Sequence, residues 1–137
     1  LADHRIGIMQ KYRQTLRNFH DLQYVTYLNI GQQTIAGIID TGSFELVVFS
    51  KECPSCGRAG KYDPSVSTSY HLGTLTNRQT YGSGDTFSRE ASDLLSIGSS
   101  VHVNQSFWEV MRAQMPLLAN AEFQAIIGVG PPETPAA

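Results

Sequence analysis

From Tyr24 onward the apolar residues fall in short runs of strand length, each closed by turn residues. Their spacing shows little of the three-or-four periodicity a helix requires. Tyr24-Val25-Thr26-Tyr27-Leu28-Asn29-Ile30 mixes β-branched and aromatic residues and ends in the turn Gly31-Gln32-Gln33. A second run, Thr34 to Ile39, leads into Asp40, and a third, Phe44 to Phe49, leaves it. Two strands are therefore expected to meet at a loop carrying Asp40. Residues 53–69 are rich in Gly, Pro and Ser and predict a loop. Gly82 and Gly84 flank Ser83 in QTYGSGDT, which suits a hairpin tip. Leu95 and Ile97 alternate with polar neighbours, Gly98-Ser99-Ser100 turns, and Val101 and Val103 alternate again, which predicts a second hairpin. Glu109 to Met115 predicts a helical turn stopped by Pro116. Phe123 to Val129 is the last apolar run, closed by Gly130-Pro131-Pro132. No internal repeat is visible. The pattern is that of an all-β domain with many hairpins and at most short helices. Only residues 1–17, mildly basic, read as helical or unstructured.

Composition narrows the functional classes. A length of 137 residues suits one domain with a core of its own, and the first residue, Leu1, points to a processed product or a fragment. Charged residues make up 16% and the formal net charge is −2, with no Lys/Arg stripe beyond Arg5 to Arg17, so nucleic acid is not an expected partner. The apolar runs are too short for a transmembrane segment. No metal site is expected: the two cysteines cannot fill a tetrahedral zinc site, and no pair among the four histidines has ligand spacing. Cys53-Pro-Ser-Cys56 reads as a short local disulfide, with a free thiol pair as the alternative. A disulfide would imply an oxidising compartment, and the sequon Asn104-Gln105-Ser106 points the same way.

Asp40 changes the question. It sits inside IAGIIDTGSFELVVF, the most apolar stretch of the chain, where an ionised carboxylate is costly unless paired or hydrogen-bonded. Asp-Thr-Gly between two apolar runs also suits an ordinary turn, since Asp bonds its own backbone and Gly supplies positive φ.

The remaining motifs decide between these readings. Asn18-Phe19-His20-Asp21-Leu22-Gln23-Tyr24, Ile30-Gly31, Asp40-Thr41-Gly42-Ser43, Tyr62-Asp63-Pro64-Ser65 with Ser67-Thr68-Ser69, Tyr81-Gly82-Ser83-Gly84, Asp93 with Ile97-Gly98, and Phe123 to Gly128 occur in this order. Together they resemble the amino-terminal lobe of the pepsin-like aspartic proteases, across roughly residues 16 to 132. The resemblance implies a pepsin-like lobe at 16–132, an N-terminal extension or propeptide remnant at 1–15, and the start of a linker at 133–137. It implies a closed or orthogonally packed antiparallel barrel with a flap hairpin.

By the same resemblance Asp40 is one of two catalytic aspartates of an acid-optimum endopeptidase that works through an activated water, without cofactor or metal. Thr41 would lend its hydroxyl to a buried network between two catalytic loops. Gly42 would allow close backbone approach and direct its N–H at the carboxylate. Ser43 would bond the outer carboxylate oxygen. Tyr81 would cap the cleft from the flap, with Gly82 and Ser83 at its tip against substrate. Cys53 and Cys56 would form the family's first disulfide. The implied partners are a C-terminal lobe carrying the second aspartate, and a peptide or protein substrate. The implied location is the secretory pathway, vacuolar, lysosomal or extracellular, or the lumen of another organelle.

Departures from the family pattern support a second reading, an inactive lobe kept as a structural or binding subunit. A third is a homodimer in which each copy gives one Asp. The turn after Gly31 lacks Thr-Pro. Val47 stands where the family has a tryptophan that bonds the flap tyrosine. Ser88 replaces a glycine, Gln124-Ala125 replaces Asp-Gly, and the chain holds a single D-T-G. Trp108 is expected in the core.

Overall fold

The computed structural model describes residues 17–19, 23–98 and 101–130. The expectations for residues 1–15 and 133–137 lie outside the described residues.

Strand propensity and alternation produce most of what was expected. The strands are β1 (Arg17–Phe19), β2 (Gln23–Ile30), β3 (Gln33–Asp40), β4 (Leu46–Phe49), β5 (His71–Tyr81), β6 (Gly84–Ser96), β7 (His102–Gln114) and β8 (Ala125–Gly128). Helix among the described residues is confined to 3₁₀ turns at Gly57–Ala59, Pro64–Val66 and Pro116–Asn120. The β2–β3 turn is a two-residue loop: Gly31 and Gln32 both take left-handed backbone, φ 56° and 67°, as such a hairpin requires.

Glu109 to Met115 is not helical. Residues 109–114 continue β7, which pairs with β6 from Asp85↔Gln114 to Ser96↔His102 and with β4 from Val47↔Trp108 to Phe49↔Val110. Ladders on both sides override the local preference of Glu, Met, Arg and Ala for helix.

The strands hydrogen-bond in the order β1-β2-β3-β8-β4-β7-β6-β5, and a further pairing of β2 with β6 closes the order on itself. The expected antiparallel arrangement needs one correction: the sheet is mixed. β8 enters between β3 and β4, parallel to β3 and antiparallel to β4, while β4 runs parallel to β7. The cause is topological. β3 and β4 leave the Asp40 loop in opposite directions, so a strand inserted between them must be parallel to one of the two.

β8 also carries the chain across that loop. The N–H groups of Gly128, Val129 and Gly130 donate to the carbonyls of Glu45, Asp40 and Ser43 at 2.9, 2.9 and 2.8 Å. A Cβ on Gly128 would lie 2.4 Å from the Glu45 nitrogen, and one on Gly130 would lie 2.3 Å from the Thr41 oxygen. Glycine is required at both positions by this close approach.

Two apolar clusters fill the interior. One joins Leu28, Ile30, Ile35, Leu46, Val48 and Phe107; the other joins Val47, Phe49, Val110, Met115, Leu118 and Phe123. The Cys53–Cys56 disulfide lies in the second.

A polar knot braces the first cluster. Asp93, 0% exposed, accepts from the hydroxyls of Tyr62 at 2.7 Å and Ser69 at 2.6 Å and from the Leu94 N–H at 2.8 Å. Burial opposes its ionisation, but the donors from Ser69, Tyr62, Ser67 and Leu94 outweigh burial and hold the carboxyl below its usual range. A carboxyl whose folded pKa is lowered adds stability above its unfolded pKa, and that stability is lost as pH falls through the folded value. Asp93→Asn should therefore cost about 1–3 kcal/mol at neutral pH. The deficit should shrink in strong acid, which denaturant titrations of both proteins at the two pH values will measure.

Candidate functional site

Asp40 is the last residue of β3, and Thr41-Gly42 turns away from it. The turn gives the carboxylate its partners. The Gly42 N–H donates to Oδ1 at 3.0 Å and the Ser43 hydroxyl donates to Oδ2 at 2.8 Å. Both carboxylate oxygens are thus oriented by their own loop, and β8 pins that loop from beneath. The apolar flanks divide: Leu46 and Val47 are buried, while Ile38, Ile39 and Asp40 are half-buried. Thr41 and Gly42 are exposed, so within the described residues Thr41 lies in no buried network. Among the described residues a Cβ on Gly42 would meet only Asp40 Oδ1, at 3.4 Å, so no close approach among them demands glycine there.

The β5–β6 hairpin stands opposite. Together with residues 40–47 it walls a cleft of about 670 Å³ lined by Asp40, Ser43, Val47, Gln79, Tyr81 and Gly82 among others. Tyr81 is half-buried and packs against the second cluster beside Ile38 and Trp108. Burial, then the nearby carboxylates of Asp40 and Glu45, push its phenol well above the usual range, so it stays a neutral hydrogen-bonding group. Gly82 and Ser83 are exposed at the tip, with none of the described residues within 4 Å of a Cβ on Gly82, and Ser83 lies outside the cleft lining. No cluster of His, Cys, Asp and Glu among the described residues could hold a metal.

The structure adds residues that the linear sequence did not single out. Gln79 lines the cleft, and its Oε1 accepts from the Thr86 and Ser88 hydroxyls at 2.7 and 2.9 Å. Ser88, one of the family departures, thus holds a cleft side chain in place. Gln124 likewise bridges strands: its Oε1 accepts from Ala36 N–H at 3.0 Å and its carbonyl from Phe49 N–H at 2.9 Å. Trp108 is half-buried rather than in the core. It sits beside Val47 on the neighbouring strand, and its indole N–H donates to Glu45. A tryptophan missing at position 47 is therefore present one strand away. Only the cross-strand register reveals it.

Comparison with known proteins gives a consistent result. The family described as Eukaryotic aspartyl protease matches residues 23–137. A vacuolar aspartic protease of Candida albicans is 34% identical over 123 residues, 87% of this chain and 29% of that protein. Cathepsin E of Cavia porcellus is 32% identical over 129 residues, 90% of this chain and 33% of that protein. Renin of Canis lupus familiaris is 33% identical over 123 residues, 85% of this chain and 30% of that protein. The chain thus spans about a third of the length of the relatives it matches.

Proposed function

The chain belongs to the eukaryotic aspartyl protease family, and from that premise we propose that it is the amino-terminal lobe of an aspartic endopeptidase, supplying Asp40 as one of two catalytic carboxylates. The observation that carries the proposal is the placement of Asp40. It ends a strand, both its oxygens are oriented by its own loop, and it faces a cleft large enough for a peptide.

One carboxylate cannot do the chemistry alone. Two facing carboxylates cannot both ionise, so the pair holds one proton; aspartic proteases are the standard illustration of this effect. The ionised member takes a proton from a water as its oxygen attacks the scissile carbonyl carbon. The protonated member hydrogen-bonds to the carbonyl oxygen and polarises it. When the C–N bond breaks, a proton reaches the departing nitrogen, so the products are an acid and an amine and the pair again holds one proton. In this scheme the Gly42 N–H and the Ser43 hydroxyl fix the carboxylate plane. Exposed Thr41 and Gly42 would meet the corresponding loop of a second lobe, where the network expected of Thr41 would form. Tyr81, with Gly82 and Ser83 at the hairpin tip, would close over the peptide.

The second reading, an inactive scaffold lobe, draws on Val47, Ser88, Gln124 and the single D-T-G. Ser88 holds Gln79 and Gln124 ties β3 to β4, so these two departures are built into the packing. Trp108 stands beside Val47 but gives its indole N–H to Glu45. An oxidising compartment fits the Cys53–Cys56 disulfide, and the vacuolar relative fits a place in the secretory or vacuolar system.

The test is reconstitution. The chain purified alone should hydrolyse no peptide at acid or neutral pH. A lobe bearing its own D-T-G or D-S-G, added back, should restore cleavage. Turnover by a monomer of this chain would sink the half-site assignment, and turnover by a symmetric pair of copies would move the second aspartate onto the other copy.

A further inference from the structure

The sequon Asn104-Gln105-Ser106 takes no part in the cleft, and its place in the fold points to a different chemistry. Asn104 is the third residue of β7 and stands directly opposite Leu94 on β6. Strand alternation puts Asn104 and Ser106 on one face of the ladder and Val103, Gln105 and Phe107 on the other. The second face is the interior: Gln105 and Phe107 are buried, and Val103 packs on the first apolar cluster. Asn104 is exposed and Ser106 is half-buried. The Asn104 amide makes no hydrogen bond among the described residues, so a group on its nitrogen would displace no partner.

The strand around it lacks cover. β4 meets β7 only from Val47↔Trp108 to Phe49↔Val110. Before Trp108, β7 pairs with β6 alone among the described residues, so its other side is an open edge. An open edge is a template for pairing with another chain, and charged side chains, proline or a covering group blunt it. From His102 to Phe107 there is no Lys, Arg, Asp, Glu or Pro. Leu94, on the same face as Asn104, is exposed beside it.

We propose that Asn104 is an N-glycosylation site whose glycan covers the open edge of β7 and the exposed Leu94. The proposal rests on the secretory or vacuolar location proposed above, because a chain meets the glycan donor there. The donor is a lipid-linked oligosaccharide diphosphate. Asn104 Nδ2 forms a bond to the anomeric carbon of the first sugar. The carbon–oxygen bond to the diphosphate breaks, the diphosphate leaves with the electron pair, and the amide gives up one proton. Ser106 supplies the hydroxyl that the acceptor motif requires two residues on, and Gln105 is not proline. A glycan is bulky and solubilising, which is what an uncharged edge lacks. Of the five asparagines in the chain only Asn104 has this motif, so a single N-linked glycan is expected.

The experiment takes the complete protein from its own cells and maps the peptide carrying residue 104 before and after peptide-N-glycosidase. A glycan should be released and aspartate should appear at that position. Asn104→Gln and Ser106→Ala, made in the same cells, should each lose the glycan, and Ser106→Thr should keep it. On gel filtration, Asn104→Gln should shift from the wild-type position toward associated species. If Asn104→Gln does not fold, Ser106→Ala carries the same comparison. A bare Asn104 in protein whose Cys53–Cys56 disulfide is formed overturns the site and leaves the location standing. A bare Asn104 beside two free thiols overturns both. A glycan retained by Ser106→Ala overturns the sequon as its cause. Identical elution of folded variants and wild type overturns the covering role.

Discussion

Asp40→Asn should leave the complete protein folded and lower its peptide hydrolysis at least about a thousandfold, the scale of losing a positioned acid–base group. The geometry says why the fold survives. An asparagine keeps one oxygen for the Gly42 N–H, and the Ser43 hydroxyl, which now donates to Oδ2, can rotate to accept from the amide. The hydrogen bonds that β8 makes to this loop all go to backbone carbonyls, so they do not depend on the acid. What asparagine cannot do is take a proton from water or share one with a partner carboxyl. The loss should fall on kcat with KM little changed, because the substitution leaves the β5–β6 hairpin proposed to close over the peptide untouched. Matching circular dichroism spectra and melting temperatures would establish that chemistry, not folding, was removed.

The second large effect concerns packing. Val47 is 2% exposed and lies beside Trp108 on the parallel neighbour strand, with both side chains on one face of the sheet. Restoring the family tryptophan by Val47→Trp alone should therefore overpack the wall and cost about 1–3 kcal/mol. Trp108→Gly alone should cost about 3 kcal/mol through the void it leaves, and it also strips Glu45 of its indole donor. The double variant moves the indole from one strand to the other and leaves the pair smaller only by the difference between valine and glycine. Its loss should be smaller than the sum of the single losses by more than about 1 kcal/mol, the coupling expected of residues in contact. Denaturant unfolding of the four proteins measures the cycle. Additive losses would mean that the two positions do not share one space.

Local patterns exposed part of this protein, and the register between strands holds the rest. The runs on either side of Asp40 were legible because short apolar stretches bounded by Gly and polar residues have few other uses. The disulfide was legible because two cysteines three apart left few alternatives. The course of β7 through Glu109 was not. Its residues favour helix locally, and Glu109 is buried only because Arg89 on β6 and the hydroxyl of Tyr70, just before β5, meet it at 3.0 and 2.5 Å. The parallel entry of β8 depends on contacts about ninety residues apart in sequence, such as Gly37 with Ala125, which no local pattern encodes.

In the site the division is the same. Asp40, Gly42 and Ser43 act within one turn, so their spacing in the sequence already states their geometry. Trp108 and Glu45 meet across 63 positions of sequence.

The most direct measurement is the single-turnover rate of peptide cleavage at acid pH by the complete protein, wild type beside folded Asp40→Asn at saturating substrate. Cleavage by the wild type and a loss of at least about a thousandfold in the variant is the predicted result. Comparable rates from two equally folded proteins would contradict the assignment of Asp40 as a catalytic carboxylate.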